Sequence, residues 1–284
     1  MNTVLSLIFA VLLNRNLISG LVTDYKVMTW NSDGYKLQQV LDSFLRNPSL
    51  SLALVQESGN VARQNPGQVI QQNLEFTMAD GENAFQCAND GYYEVRQYFN
   101  QGTRLYIYFF PAAENVLQKL GLTFVTRQPA TEILYFVSLH NHQDCFDRRG
   151  SPFINRPIPG LVFGNDIFLN FHAEPSANNE VLIQLRSIKS FMSVYKPNAS
   201  WMLGGDFNRE PSGVQSALDQ NHERLIHPSQ RTRRNRIIDY FIYGSADQNV
   251  FALMNRPHTA TINANLFSDH YAVDFNPAPR RVVG

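Results

Sequence analysis

Trp201-Met-Leu-Gly-Gly-Asp206-Phe-Asn208-Arg209-Glu210-Pro211 runs an apolar stretch straight into a carboxylate, an amide and a guanidinium. An apolar, β-type run ending in Gly-Gly reads as a buried strand whose last residues emerge at a sheet edge, where a rigid scaffold holds loop residues against a substrate. Asp206 and Asn208 are two residues apart, so an extended backbone points both the same way, one a charged acceptor and the other a neutral donor and acceptor. Taken alone, the segment reads equally well as a strand followed by an Asp-capped turn.

Other segments follow the same plan. They are Val27-Met-Thr-Trp-Asn31, Leu52-Ala-Leu-Val-Gln-Glu57, Phe168-Leu-Asn-Phe-His172, Ile237-Ile-Asp239-Tyr-Phe-Ile242 and Ser268-Asp269-His270-Tyr-Ala-Val-Asp-Phe275. Each joins an apolar run to one or two residues able to hold a metal ion or move a proton. Further strands are expected at 105–110, 122–125 and 133–139. Leu37, Val40, Leu41, Phe44 and Leu45 mark an amphipathic helix before the strand at 52, and Val181, Leu185, Ile188, Met192 and Tyr195 mark another before Trp201. Many strands with few helices suit an α/β protein built as a four-layer sandwich, two packed, mainly antiparallel sheets flanked by helices, rather than one doubly wound sheet.

Residues 58–103, rich in Gln, Asn and Gly, and residues 140–160, with His140, His142, Cys145 and three prolines, read as long surface loops. A loop His pair with no strand or helix to fix it is usually solvated, so His140 and His142 are not taken as metal ligands. Cys87 and Cys145 have neither the number nor the spacing for a zinc site, and either a disulfide or two thiols is open to them.

A chain of 284 residues, 44% hydrophobic and 12% aromatic, can bury one full core, so residues 21–284 are expected to form a single domain. Val4 to Leu13 is apolar and is followed by Ser19 and Gly20, which fits a secretory signal peptide over residues 1–20 and a secreted protein. No interior stretch is long and apolar enough to span a bilayer. The formal net charge is zero, which gives no bulk electrostatic support to nucleic-acid or membrane binding. Of the 24 basic residues nineteen are Arg, whose planar fork matches phosphate oxygens in pairs. Arg231-Thr-Arg-Arg-Asn-Arg236 reads as a solvated loop, a nuclear-import patch or a strip that tracks phosphates toward Asp239.

Taken together, the strand-end motifs resemble the deoxyribonuclease-I-like metal-dependent phosphoesterases, a superfamily of endonucleases, exonucleases and phosphatases, and within it the cytolethal distending toxin B subunits. The phrases that carry the resemblance, besides those quoted above, are Asp24-Tyr-Lys26, which leads into the Val27–Asn31 segment, Asn155-Arg156-Pro157 and Gly164-Asn165-Asp166. They lie in the expected order from residue 24 to residue 275. One motif departs from the pattern: Asn31 is followed by Ser32-Asp33 where the toxin subunits carry Leu-Gln.

The resemblance implies a metal-dependent phosphodiesterase, a deoxyribonuclease, with named roles. His270 is the base and Asp239 fixes its tautomer. Glu57, with Asn31 and Asp269, holds a hard divalent ion, Mg²⁺ first and Mn²⁺ or Ca²⁺ as alternatives. Asp206 and Asn208 position the attacking water and a phosphate oxygen, and His172 meets the phosphate as a second, protonated imidazole. Arg156, Arg209 and Asn165 bind the substrate. Double-stranded DNA is the expected partner, together with delivery or receptor-binding subunits, and the expected site of action is a target-cell nucleus. A phosphoinositide phosphatase on the same fold is the alternative, and a catalytically silent phosphate-binding protein a further one.

Overall fold

A computed structural model of the chain describes residues 20–72, 77–80, 83–86, 93–111, 120–136, 158–175 and 180–279. The expected leader up to residue 19, Cys87, Cys145, the His140–His142 segment and Arg156 lie outside the described residues.

Two eight-stranded sheets carry the fold. In chain order the strands are β1 Lys26–Asn31, β2 Leu50–Gln56, β3 Gln68–Gln72, β4 Thr77–Asp80, β5 Asn83–Gln86, β6 Glu94–Asn100, β7 Thr103–Phe110 and β8 Leu122–Thr126. They continue as β9 Glu132–Phe136, β10 Ile158–Phe163, β11 Asp166–His172, β12 Ser200–Asp206, β13 Glu223–Ile226, β14 Asp239–Ser245, β15 Thr259–Phe267 and β16 Tyr271–Asn276. One sheet runs β15-β16-β1-β2-β8-β7-β6-β3 and the other β13-β14-β12-β11-β10-β9-β4-β5. Neighbours pair antiparallel except β1 with β2, β11 with β12 and β4 with β9.

Two of the parallel pairs need crossovers, and the two long helices supply them: Leu37–Arg46 joins β1 to β2, and Glu180–Tyr195 joins β11 to β12. Each packs on the outer face of its sheet. Val40, Leu41 and Phe44 meet Met28, Trp30, Ala53 and Val55, while Leu185, Ile188 and Met192 cluster with Ile167, Leu169, Trp201 and Leu203. The inner faces meet in a third apolar layer that includes Val27, Leu52, Leu54, Phe168, Met202, Phe241 and Val273. The four-layer sandwich expected from the sequence is the observed architecture. Among the described residues no helix is long and apolar enough to cross a membrane.

The surface-loop reading of residues 58–103 is corrected: the short helix Val61–Gln64 and strands β3 to β7 begin in this stretch. β3 reads Gln-Val-Ile-Gln-Gln with no fully buried residue, as an edge strand open to water permits, so its composition imitates a loop. Likewise, β10 begins inside the expected loop 140–160.

Candidate active site

Period-2 alternation builds the site. Along β1, Val27 and Thr29 face the other sheet and Asn31 follows them; along β11, Phe168 and Asn170 lead to His172; along β12, Met202 and Gly204 lead to Asp206; along β14, Tyr243 and Phe241 lead back to Asp239. The inner layer thus turns from apolar to polar toward one end of the sandwich. Below that end, Gln56 donates through Nε2 to Thr29 Oγ1 (3.1 Å) and to Asn170 Oδ1 (2.7 Å), and Asn170 Nδ2 donates to the carbonyls of Val55 (3.2 Å) and Thr123 (3.0 Å). All of these side chains are buried, so this satisfied polar bridge fixes how the two sheets face each other beneath the site. Gly204 permits the close approach: a Cβ there would lie 2.7 Å from Leu54 Cδ1 and from Phe241 Cδ1.

His172, Asp206 and Asp239 stand in register on the adjacent strands β11, β12 and β14. His270, in the turn before β16, points Nδ1 at Asp239, 2.9 Å from Oδ2 and 3.1 Å from Oδ1. Its Nε2 lies 3.8 Å from Asp206 Oδ2, is buried and has no hydrogen-bond partner. Burial alone pulls the pKa of this ring down, but the Asp239 hydrogen bond and the charges of Asp239, Asp206 and Asp269 outweigh it, and the net shift is upward. Asp206 is shifted upward too, by burial first and by Asp239 second. It accepts from Asn31 Nδ2 (3.1 Å) and from the backbone N–H of Asn208 (2.8 Å).

Asn31 Nδ2 also donates to Glu57 Oε1 (3.0 Å), so one amide holds two carboxylates together across the sheets. His172 Nε2 sits 3.6 Å from that Glu57 oxygen and 3.8 Å from Asp206 Oδ2. Ser32 Oγ donates to the carbonyls of Gln56 (3.3 Å) and Glu57 (3.0 Å), a tether made by the residue that departs from the family pattern. Asp269 is placed differently from Glu57 and Asn31. Its carboxylate takes Arg233 Nη2 at 2.7 Å and stands 4.0 Å from His270 Nε2.

The donor set fits a hard divalent ion. Carboxylates of Glu57, Asp206, Asp239 and Asp269 gather around two imidazoles, and Arg233 offsets one of those charges. Asp206, Asp239 and His270 also present ligand atoms within 4.8 Å of one another. A cation seated among those three would displace the proton shared by Asp239 and His270, whereas the Glu57 side chain is 23% exposed and so within reach of an ion from solvent.

The remaining expected site residues divide. Asn208 takes a left-handed backbone (φ 48°) and is held by its Nδ2 bond to the Ala173 carbonyl (2.9 Å). Arg209 follows it and lines, with Glu174, Phe207, Asn208 and Arg236, a cleft of about 220 Å³; its Nη1 is buried without a hydrogen-bond partner. The substrate-contact expectation for Asn165 is corrected. Asn165 precedes β11, whose other end carries His172, and seven residues at ~3.3 Å each separate it from the site by roughly 20 Å. Its carbonyl accepts from Ser200 N–H (3.0 Å) instead, at the start of β12.

Two residues escape sequence reading. Thr232 is buried and its Oγ1 accepts from the N–H groups of Ile238 (3.0 Å) and Asp239 (3.2 Å), while its carbonyl accepts from Tyr271 N–H (2.8 Å). Ser268 Oγ donates to the Asn31 carbonyl (2.6 Å) and accepts from His270 N–H (3.0 Å). Together they set the Asp239 and His270 ends against each other. A β-branched hydroxyl residue inside an otherwise basic run was the available signal for Thr232.

An expected outcome follows for Asp239→Asn. The amide removes the charge and weakens the hydrogen bond that raise the His270 pKa, so the acid limb of the kcat/KM profile should move to lower pH while the maximum rate falls by about 10²- to 10⁴-fold. A rate profile from pH 5 to 9 checks it; an acid limb that stays in place removes Asp239 as the cause of the shift.

No protein-family model matches the chain. A homolog of the cytolethal distending toxin B subunit, from Salmonella typhi, is 27% identical over 275 residues, 89% of this chain and 90% of that protein. Among solved structures, the cytolethal distending toxin of Actinobacillus actinomycetemcomitans superposes with a TM-score of 0.69 at 21% identity, covering 90% of this chain and 99% of the matched chain. An endonuclease/exonuclease/phosphatase family protein from Leptotrichia buccalis superposes with a TM-score of 0.51 at 12% identity, covering 89% of this chain and 99% of that one. By sequence along nine-tenths of its length and by fold, the chain is similar to the cytolethal distending toxin B subunits, and it shares its fold with the Leptotrichia buccalis endonuclease/exonuclease/phosphatase family protein.

Proposed function

We propose that the chain is a secreted, toxin-type, Mg²⁺-dependent endonuclease that hydrolyses phosphodiester bonds of double-stranded DNA. The observation that carries this reading is the state of His270: Nδ1 is held by Asp239 at 2.9 Å, and Nε2, buried and without a hydrogen-bond partner, faces Asp206. An imidazole fixed at one nitrogen and unengaged at the other is arranged to take a proton.

In this reading a water positioned by Asp206 and Asn208 loses its proton to His270 Nε2 as its oxygen attacks phosphorus, and the leaving oxygen departs from the opposite side. His172, protonated among Glu57 and Asp206, donates to a phosphate oxygen. Arg209 and Arg156 add charged donors. Glu57 and Asn31 would hold the ion, with Asp269, now paired with Arg233, as the further residue of the expected ligand set. When bound, Mg²⁺ supplies positive charge to the non-bridging and leaving oxygens. The likeness to toxin B subunits supports delivery or receptor-binding subunits as partners and a target-cell nucleus as the place of action. Zero net charge agrees with dependence on such partners, because it gives little long-range attraction to DNA.

Two substrates offered to the purified chain test the reading: a labelled DNA duplex resolved on a denaturing gel, and inositol phospholipids followed by phosphate release. Cleaved duplex with Mg²⁺, and loss of that cleavage in Glu57→Gln recovered in part by excess Mg²⁺, is expected. Phosphate release with an intact duplex would make the protein a phosphoinositide phosphatase instead.

A further inference from the structure

Residues 231–236 form a tight basic turn beside the dyad. The N–H groups of Thr232 and Arg233 donate to the Arg236 carbonyl (2.9 and 3.1 Å), Arg236 N–H donates to the Arg233 carbonyl (2.9 Å), and Arg234 takes φ 46° at the tip. Through Thr232 the turn is bonded to Asp239 and to Tyr271, so it cannot move without moving the dyad. Arg236 Nη2 is tied to the Asn208 carbonyl (2.8 Å) and Arg233 to Asp269, whereas Arg231 and Arg234 face solvent. On the flank of the His270 turn lie Phe267 and Tyr271, 58% and 38% exposed, with ring centroids 4.8 Å apart and planes at 43°.

We propose that the Arg231–Arg236 turn and the Phe267–Tyr271 pair form a docking surface for a nucleic-acid backbone alongside the scissile phosphate. The arginines meet neighbouring phosphates and the rings pack against the sugar-base face. This rests on the phosphodiesterase reading and names the substrate class. A monoester headgroup ends at the reacting phosphate and has no use for a row of cations outside it, whereas a polynucleotide carries a phosphate at every nucleotide. Without net positive charge on the whole chain, affinity for such a polymer has to come from a local patch of this kind. Exposed rings add contact that is indifferent to sequence, as positioning contacts require. A planar lipid surface also attracts Arg and aromatic side chains, yet it would hold its phosphates above His270, which is fully buried, while a strand can follow the rim.

Fluorescence anisotropy with a 20-base-pair labelled duplex, in a chelator to suppress turnover and over a range of salt, tests the surface. Arg231→Ala/Arg234→Ala should weaken binding about tenfold or more at low salt and flatten the slope of log Kd against log salt by about two. Phe267→Ala should weaken binding severalfold with the slope unchanged. Hydrolysis of bis(p-nitrophenyl) phosphate, which has no flanking phosphate, should stay within about twofold of wild type in each variant, since exposed substitutions of this kind leave the fold intact. Variants that bind the duplex like the wild type overturn the proposal, as does capture of phosphatidylserine vesicles in place of the duplex. A wild-type chain that binds through these residues and hydrolyses neither substrate keeps the surface and sinks the phosphodiesterase reading; hydrolysis of both, with unaltered binding by the variants, does the reverse.

Discussion

Replacing His270 with alanine is expected to lower the rate of DNA cleavage by about 10³- to 10⁴-fold, near the upper range for a removed general base. The ring is fully buried, its Nδ1 is bonded to both oxygens of Asp239, and Nε2 has Asp206 at 3.8 Å and no hydrogen bond. The other imidazoles among the described residues are engaged elsewhere: His172 faces Glu57 and Asp206 from β11, His258 bonds the Met254 carbonyl (2.9 Å) and the Ala278 N–H (2.9 Å), and the Nδ1 atoms of His222 and His227 meet the carbonyls of Ser245 (3.0 Å) and Pro228 (2.8 Å). Asp206→Asn would leave the His270 nitrogen in place, so its loss should be smaller than that of His270→Ala. Single-turnover cleavage of a labelled duplex measures this, and a rate within tenfold of wild type would remove His270 from the chemistry.

The second large effect is expected at His172. It lies within 4 Å of both Glu57 and Asp206, so a protonated ring there is held by two carboxylates and presents positive charge where a phosphate oxygen would sit. His172→Ala should cost several hundred-fold in kcat, the scale of a removed acid or oxyanion donor, with a smaller change in KM. If the loss falls on KM alone, His172 binds the ground state and does not act in the transition state.

Much of this was legible because the site grows out of ordinary strand alternation. Reading Met202, Gly204 and Asp206 as one face of a strand already puts the carboxylate at the end of the inner layer, and the same holds for Phe168, Asn170 and His172. What escaped notice depends on contacts between distant segments. The Asp239–His270 pair is set by Thr232 and Ser268, whose bonds reach Tyr271 and Asn31. The left-handed backbones of Glu57 and Asn208 (both φ 48°) aim side chains in a way that composition does not reveal. Asn165 misled because a family phrase spans both ends of β11, and only one end faces the site. The polar edge strand β3 hid inside a stretch read as a loop, since Gln at its water-facing positions weakens the alternation on which a strand is recognised.

Relaxation of supercoiled plasmid by the purified chain reads out metal-dependent DNA cleavage through His270 in one assay. With Mg²⁺ nicked circles are expected, arrested by a chelator and absent from the His270→Ala variant under the same conditions. Plasmid that stays supercoiled at high protein concentration, or nicking that survives both the chelator and the loss of His270, would contradict it.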